Sequence, residues 1–198
     1  NSNYRPAVFY FKTAPASSIN LMVNHEEVSP YGENGIPLTL PGQTITNYPE
    51  MYWYVKSDIA LAPSYKFDVE FQAEGYSDYL LDGIQNVRLI RRDSGNVANP
   101  WVLQGLDGNY DNSTIAADHP LIKVIDATGG ITSQGSRFTY SQANKPPVID
   151  KTAEVNSVPA PIVADAITIA EGTDTLVVTY DVSDPDIGDV ATVTGAVV

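Results

Sequence analysis

The chain contains no cysteine. Disulfides and thiolate metal sites are therefore excluded. Basic residues are scarce: 11 Lys and Arg stand against 24 Asp and Glu, a formal charge of −13 with a pI near 4.3. Nucleic acid and anionic membrane surfaces do not fit this balance, because both need a basic footprint. No apolar run reaches the ~18 residues that would suggest a membrane span. No basic segment followed by an apolar one opens the chain, which begins at Asn1. Histidine occurs only as His25 and His119, too far apart for a short metal-binding pair. Neither a Gly-x-Ser-x-Gly elbow nor a phosphate loop is present. Glu26 and Glu27 are adjacent, so on a strand they point to opposite faces and form no carboxylate pair there. These features set the expectation that the chain is not an enzyme, although acids distant in sequence can still meet in space.

Long stretches free of Gly and Pro are also missing: 14 of each are spread along the chain, leaving no room for a long helix. What the sequence has instead is period-two alternation. Tyr65, Phe67, Val69 and Phe71 fall on one face, with Lys66, Asp68 and Glu70 on the other. This is the pattern of an antiparallel strand with one solvated side. Leu176, Val178, Tyr180 and Val182 repeat it, and Ile36, Leu38 and Leu40 do so more briefly. Further strands are expected over Ala7–Phe11, Ile19–Val23, Met51–Lys56, Asn86–Arg91, Trp101–Gln104, Leu121–Ile125 and Arg137–Ser141. Turn signals such as Asp82-Gly83 and Gly129-Gly130 separate them. The expected fold class is all-β, an immunoglobulin-like or jelly-roll-like β-sandwich. Ser141 to Pro147, with its double proline, reads as a stiff linker. It divides a first domain at 1–143 from a partial second sandwich at 144–198.

Two resemblances sharpen this reading. The run Asn144-Lys145-Pro146-Pro147, then Ala170-Glu171-Gly172, then Asp181-Val182-Ser183-Asp184-Pro185-Asp186-Ile187-Gly188-Asp189, resembles the start of a cadherin-like or immunoglobulin-like module from large bacterial surface proteins. About 50 residues follow the linker, against the roughly 100 of an immunoglobulin-type sandwich. The chain is therefore expected to stop inside a module and to be a piece of something longer. Between about residues 47 and 142, the order Met51-Tyr52-Trp53-Tyr54-Val55, Val87-Arg88-Leu89-Ile90-Arg91-Arg92, Pro100-Trp101-Val102 and Gly135-Ser136-Arg137-Phe138-Thr139-Tyr140 is similar to a β-sandwich module of secreted proteins from Bacteroidetes-type bacteria. The resemblances imply a secreted or cell-surface, non-catalytic structural or adhesive module. Its implied partners are other modules or subunits of a surface assembly, or extracellular glycans. Absence of cysteine fits a bacterial secreted chain.

Calcium is the cofactor these residues point to. It wants six to eight oxygen ligands, partly from clustered carboxylates. Asp184 and Asp186, with Gly188 allowing a turn and Asp189 closing the loop, are the strongest candidates. The cadherin-like resemblance adds Glu171 and Asn144. An acidic, solvated turn is the alternative, since Asp-Pro and Gly-Asp are ordinary turn pairs. A second set, Asp107, Asn109, Asp111 and Asp118, matches the ligand spacing of a calcium loop, with Asn112 where Gly is expected. Pro120 follows at once and no flanking helix is expected, which favours a polar connecting loop here.

Twelve tyrosines are many for this length. Trp53 should share a face with Met51 and Val55, leaving Tyr52 and Tyr54 opposite. Those two are either amphipathic edge residues or a platform for sugar rings, the latter making the chain a carbohydrate-binding module of a polysaccharide-degrading enzyme. The core of the first domain is expected to hold Trp53, Phe67, Val69, Leu89 and Trp101. The half-sandwich at the end needs cover over Leu176, Val178 and Tyr180. Strands beyond residue 198 would supply it, or a neighbouring chain would, with Ala7–Phe11 as a donor strand in a head-to-tail filament.

Overall fold

A computed structural model describes residues 5–75, 83–94, 96–116, 119–144, 148–163, 166–167 and 176–183. The chain divides into two compact units, Asn1–Asn144 and Lys145–Val198. Among the described residues sixteen strands run in chain order, and the helical content is limited to short 3-10 turns such as Ile84–Asn86 and Asp107–Asn109.

The first unit is built from two antiparallel sheets. One has the order β1 (Ala7–Phe11), β6 (Lys66–Gln72), β10 (Pro120–Thr128), β9 (Ser113–Thr114). The other runs β2 (Leu21–Glu26), β5 (Tyr52–Ser57), β11 (Ser136–Asn144), β7 (Val87–Asp93), β8 (Val102–Leu103), and the hairpin β3 (Leu38–Leu40) and β4 (Gln43–Ile45) pairs with the far end of β11. Alternation decides which side of each strand is buried. Phe67, Val69 and Phe71 from β6 meet Trp53 and Val55 from β5, Val87 and Leu89 from β7, and Phe138 and Tyr140 from β11 in one core. Phe71 is its hub. Its ring lies 4.6 Å from Trp53 and 5.5 Å from Phe138, both on the opposite sheet, and 5.9 Å from Phe9 beside it. The five expected core residues are all buried.

Trp101, however, sits in a different core. The outer face of β7 and β11 is covered by the β3–β4 hairpin and its flanks, where Ile45, Ile90 and Trp101 are buried among Ile36, Leu38, Leu40, Tyr48 and Leu103. Arg92 is fully buried beneath it, with its guanidinium 4.4 Å from the Trp101 ring centroid and its Nη atoms donating to the carbonyls of Tyr31 and Gly32. The Gly32 carbonyl also accepts from Trp101 Nε1 at 3.0 Å and Tyr48 Oη at 2.9 Å. Burial lowers the Arg92 pKa from its ordinary value, since desolvation disfavours the charged form. Gly35 is required at its position: its φ is +87°, and a Cβ there would lie 2.6 Å from the Trp101 carbonyl oxygen.

Several elements run past their expected limits. Strand β2 extends to Glu26 because Asn24, His25 and Glu26 pair with Tyr54, Trp53 and Tyr52 despite their polarity. Strand β10 continues to Thr128 across a bulge: Val124 faces Val69, and the next pair joins Ala127 to Phe67, so one extra residue is absorbed. Strand β1 pairs along its length with β6 of its own unit.

The second unit contains the sheet β13 (Val158–Ala160), β12 (Val148–Val155), β16 (Leu176–Ser183) and the short pair β14 (Ile162–Val163) and β15 (Ala166–Ile167). Asn156 and Ser157 form the two-residue β12–β13 turn, both with positive φ, as a tight hairpin of the matching twist demands. This hairpin falls where two prolines hid a strand signal. Ala153 is buried, Val178 half-buried and Val177 exposed. The sequence also suggests a strand over Ala191–Val197, which lies outside the described residues.

Candidate functional site

The calcium candidates divide by location. Asp184, Asp186, Asp189, Glu171 and Asp118 lie outside the described residues. Asn144 ends β11, where its backbone pairs with Thr44. Asp107, Asn109 and Asp111 are close in sequence but serve different partners. Asp107 accepts from Arg88 Nε at 2.7 Å and from Gln43 Nε2 at 3.0 Å. Asn109 donates to the Ile125 carbonyl at 3.0 Å. Asp111 lies 3.6 Å from Lys123 Nζ. Asn112, at the position a calcium loop gives to glycine, is buried. It donates to the carbonyls of Ile84 and Val87 and accepts from the Lys123 amide, all at 2.9 Å. Among the described residues no group of three or more His, Asp or Glu is placed to share an ion.

The aromatic candidates are also engaged in the fold. Tyr52 lies under the Arg137 guanidinium at 5.1 Å, and the Tyr54 hydroxyl donates to the Gln134 carbonyl at 3.0 Å. Gly135, with φ +84°, leaves the space that the Tyr54 ring fills. Both tyrosines are half-buried. Of the histidines, His119 Nε2 pairs with Glu74 at 3.1 Å. His25 packs edge-on against Trp53 at 5.3 Å, and its Nε2 is buried without a hydrogen-bond partner. Desolvation, with the Arg5 charge adding to it, lowers the His25 pKa to about 4.

Charge on the outer face of the first sheet is neutralised pairwise: Lys12 with Asp68 at 2.7 Å, and Lys123 with Glu70 at 3.5 Å. A concavity also lies among the described residues. A groove of about 670 Å³ opens where the β10 bulge faces β8, lined among others by Lys66, Arg91, Leu106, Asn109, Asp126 and Thr128. The bulge puts Asp126 in the left-handed region at φ 53° and turns it toward the groove, 3.8 Å from Lys66 Nζ. Arg91 is pinned by Asp93 at 3.0 Å, Gln104 Oε1 at 2.8 Å and the Thr128 carbonyl at 3.2 Å. Gly105, with φ +80°, brings its loop so close to β10 that a Cβ would lie 2.6 Å from Val124 Cγ1. Of these residues the sequence marks only Asn109 as a candidate site residue, and as a metal ligand. The available signal was the phase slip from Ile122 and Val124 to Ala127.

Comparison of the chain with protein families, with curated proteins and with solved structures finds no match.

Proposed function

We propose that the chain is a non-catalytic structural or adhesive module of a large secreted bacterial cell-surface protein, acting as one of several β-modules in series. The observation that supports this most is how the polar side chains are spent. Asp107, Asn112, Arg88 and Arg92, side chains of types that can serve chemistry, each hold a loop to a strand instead. A tandem arrangement of two compact β-units supports the same reading. Calcium binding at Asp184, Asp186 and Asp189 with Glu171 and Asn144, and membership of an extracellular assembly, belong to this proposal. Incubating the chain with a panel of polysaccharides and peptides while following product release tests it. Turnover lost on replacing a single carboxylate would overturn it; intact substrates are the expected result.

The second reading is a carbohydrate-binding module. It is favoured by the groove beside the β10 bulge, whose opposed charged groups and exposed apolar side chain offer a sugar both hydrogen bonds and a nonpolar contact.

A further inference from the structure

We infer that β1 is a docking edge for a second copy of this chain, the two β1 strands pairing antiparallel about a two-fold axis. The strand ends the first sheet, and its register with β6 is unbroken from Ala7 to Phe11. The Gln72 amide donates to the Pro6 carbonyl, and the Lys12 amide donates to the Lys66 carbonyl. Hydrogen-bonded pairs alternate along an antiparallel ladder. The backbones of Val8 and Tyr10 therefore bond to β6, while Ala7, Phe9 and Phe11 turn their N–H and C=O groups outward. Among the described residues no strand pairs with that outer side. Such edges are usually blunted by shortness, by charge or by proline. The edges β3, β8 and β9 are only two or three residues long, and β2 carries Asn24, His25 and Glu26. Strand β1 has five residues and none of these guards. Its inward rings are also incompletely covered. Phe9 and Phe11 are half-buried, whereas Phe67, Val69 and Phe71 beside them are buried.

Self-complementarity selects the occupant. The register that uses every outward amide sets Phe9 against the copy's Phe9 and Ala7 against the copy's Phe11. A small side chain then meets a large one on the inner face. On the outer face, where Val8 is 36% and Tyr10 51% exposed, each Val8 meets the copy's Tyr10. These are the non-hydrogen-bonded pairs, in which side chains lie closest, and an aromatic ring beside a β-branched residue stabilises such a pair. Charge does not oppose approach at this edge, although the chain carries −13. Lys12 is paired with Asp68 at 2.7 Å and Arg5 with Glu27. In this register Lys12 falls opposite the copy's Pro6, so no like charges face each other across the strands. The contact uses the same edge on both copies and closes at two. A pair of five-residue strands is a small interface, which makes the dimer weak and dependent on concentration.

The inference goes beyond the function proposed above and does not rest on it, because a catalytic chain with this edge would dimerise in the same way. Sedimentation equilibrium of the full 198-residue chain, from roughly 10 µM to 1 mM, should show the mass rising from 21.4 kDa toward twice that value. Amide hydrogen exchange should find Val8 and Tyr10 protected at every concentration and Phe9 protected only at the high end. Val8→Lys combined with Tyr10→Lys places like charges across both outer pairs and should weaken the dimer about ten-fold or more. Val8→Glu combined with Tyr10→Lys places opposite charges across the same pairs and should restore it. Both side chains lie on the outer face, so tryptophan fluorescence during urea unfolding verifies that the first unit stays folded in each variant. A monomer at every concentration, assembly beyond two copies, equal affinity of the two double variants, or exchange at Phe9 that ignores concentration would overturn the assignment. The exchange measurement uses the unaltered chain, so it decides the question even where a variant fails to fold.

Discussion

His25 makes the stability of the first unit depend on pH in a calculable way. Its ring is half-buried against Trp53, its Nε2 has no partner, and its pKa is lowered from 6.5 to about 4. A histidine whose folded pKa lies below its unfolded value binds protons more tightly when unfolded. Stability is thus full above pH 6.5 and falls as the pH drops toward 4. For a fully desolvated ring the loss between pH 7 and pH 5 would be about 2 kcal/mol. Half of the ring environment is open to solvent, and screening reduces the expected loss to about 1 kcal/mol. Both tryptophans, Trp53 and Trp101, lie in the first unit, so tryptophan fluorescence during urea unfolding follows that unit alone. His25→Phe keeps an aromatic ring on Trp53 and removes the titration. The wild-type chain should lose about 1 kcal/mol more than His25→Phe between pH 7 and pH 5. Carboxylates common to both proteins cancel in the comparison. Parallel pH profiles for the two proteins would refute the argument.

Three other changes probe the architecture and the proposed calcium site. Phe71→Ala removes the ring that joins both sheets and should cost about 3–5 kcal/mol in urea unfolding; a value under 1 kcal/mol would show that the core closes around the gap. Asn112→Ala deletes three hydrogen bonds of a buried side chain and should cost about 2–4 kcal/mol, with hydrogen exchange rising first at the Lys123 amide. Adding a chelator should lower the melting temperature of the second unit if Asp184, Asp186 and Asp189 hold calcium, because the carboxylates then repel one another; an unchanged melting curve counts against that site.

Much of the sandwich was legible in the sequence because alternation is a local signal. Phe67, Val69 and Phe71 could face only one way once Lys66, Asp68 and Glu70 were assigned to solvent. The second core was not legible, because a strand buried on both faces loses the alternation. In β7, Val87 and Leu89 face the sandwich while Ile90 and Arg92 lie under the β3–β4 hairpin. Nothing in Val87-Arg88-Leu89-Ile90-Arg91-Arg92 announces that one of its arginines is sealed against a tryptophan ring. Asn112 illustrates the matching difficulty for sites. Oxygen-bearing residues at regular spacing suit a cation, but they equally suit loop carbonyls and amides that need partners. Only the positions of Ile84, Val87 and Lys123, distant in sequence, show which need Asn112 meets.

The groove follows from the same physics. A regular β10 would place Asp126, not Ala127, opposite Phe67, setting a carboxylate in the apolar core, where an unpaired charge costs several kcal/mol. The extra residue at the bulge turns Ala127 inward and sends Asp126 out beside Lys66. Core packing therefore demands the irregularity, and the irregularity aims a carboxylate at a neighbouring lysine across a gap too long for a direct hydrogen bond. Deleting Asp126 would restore the pairing of Ala127 with Phe67 without a bulge, keeping the core while removing the carboxylate beside Lys66. Such a variant should remain folded, with the amide resonances of Phe67 and Ala127 shifting toward regular-strand values. A deletion variant that fails to fold would show that the bulge is held by more than the phase of the apolar residues.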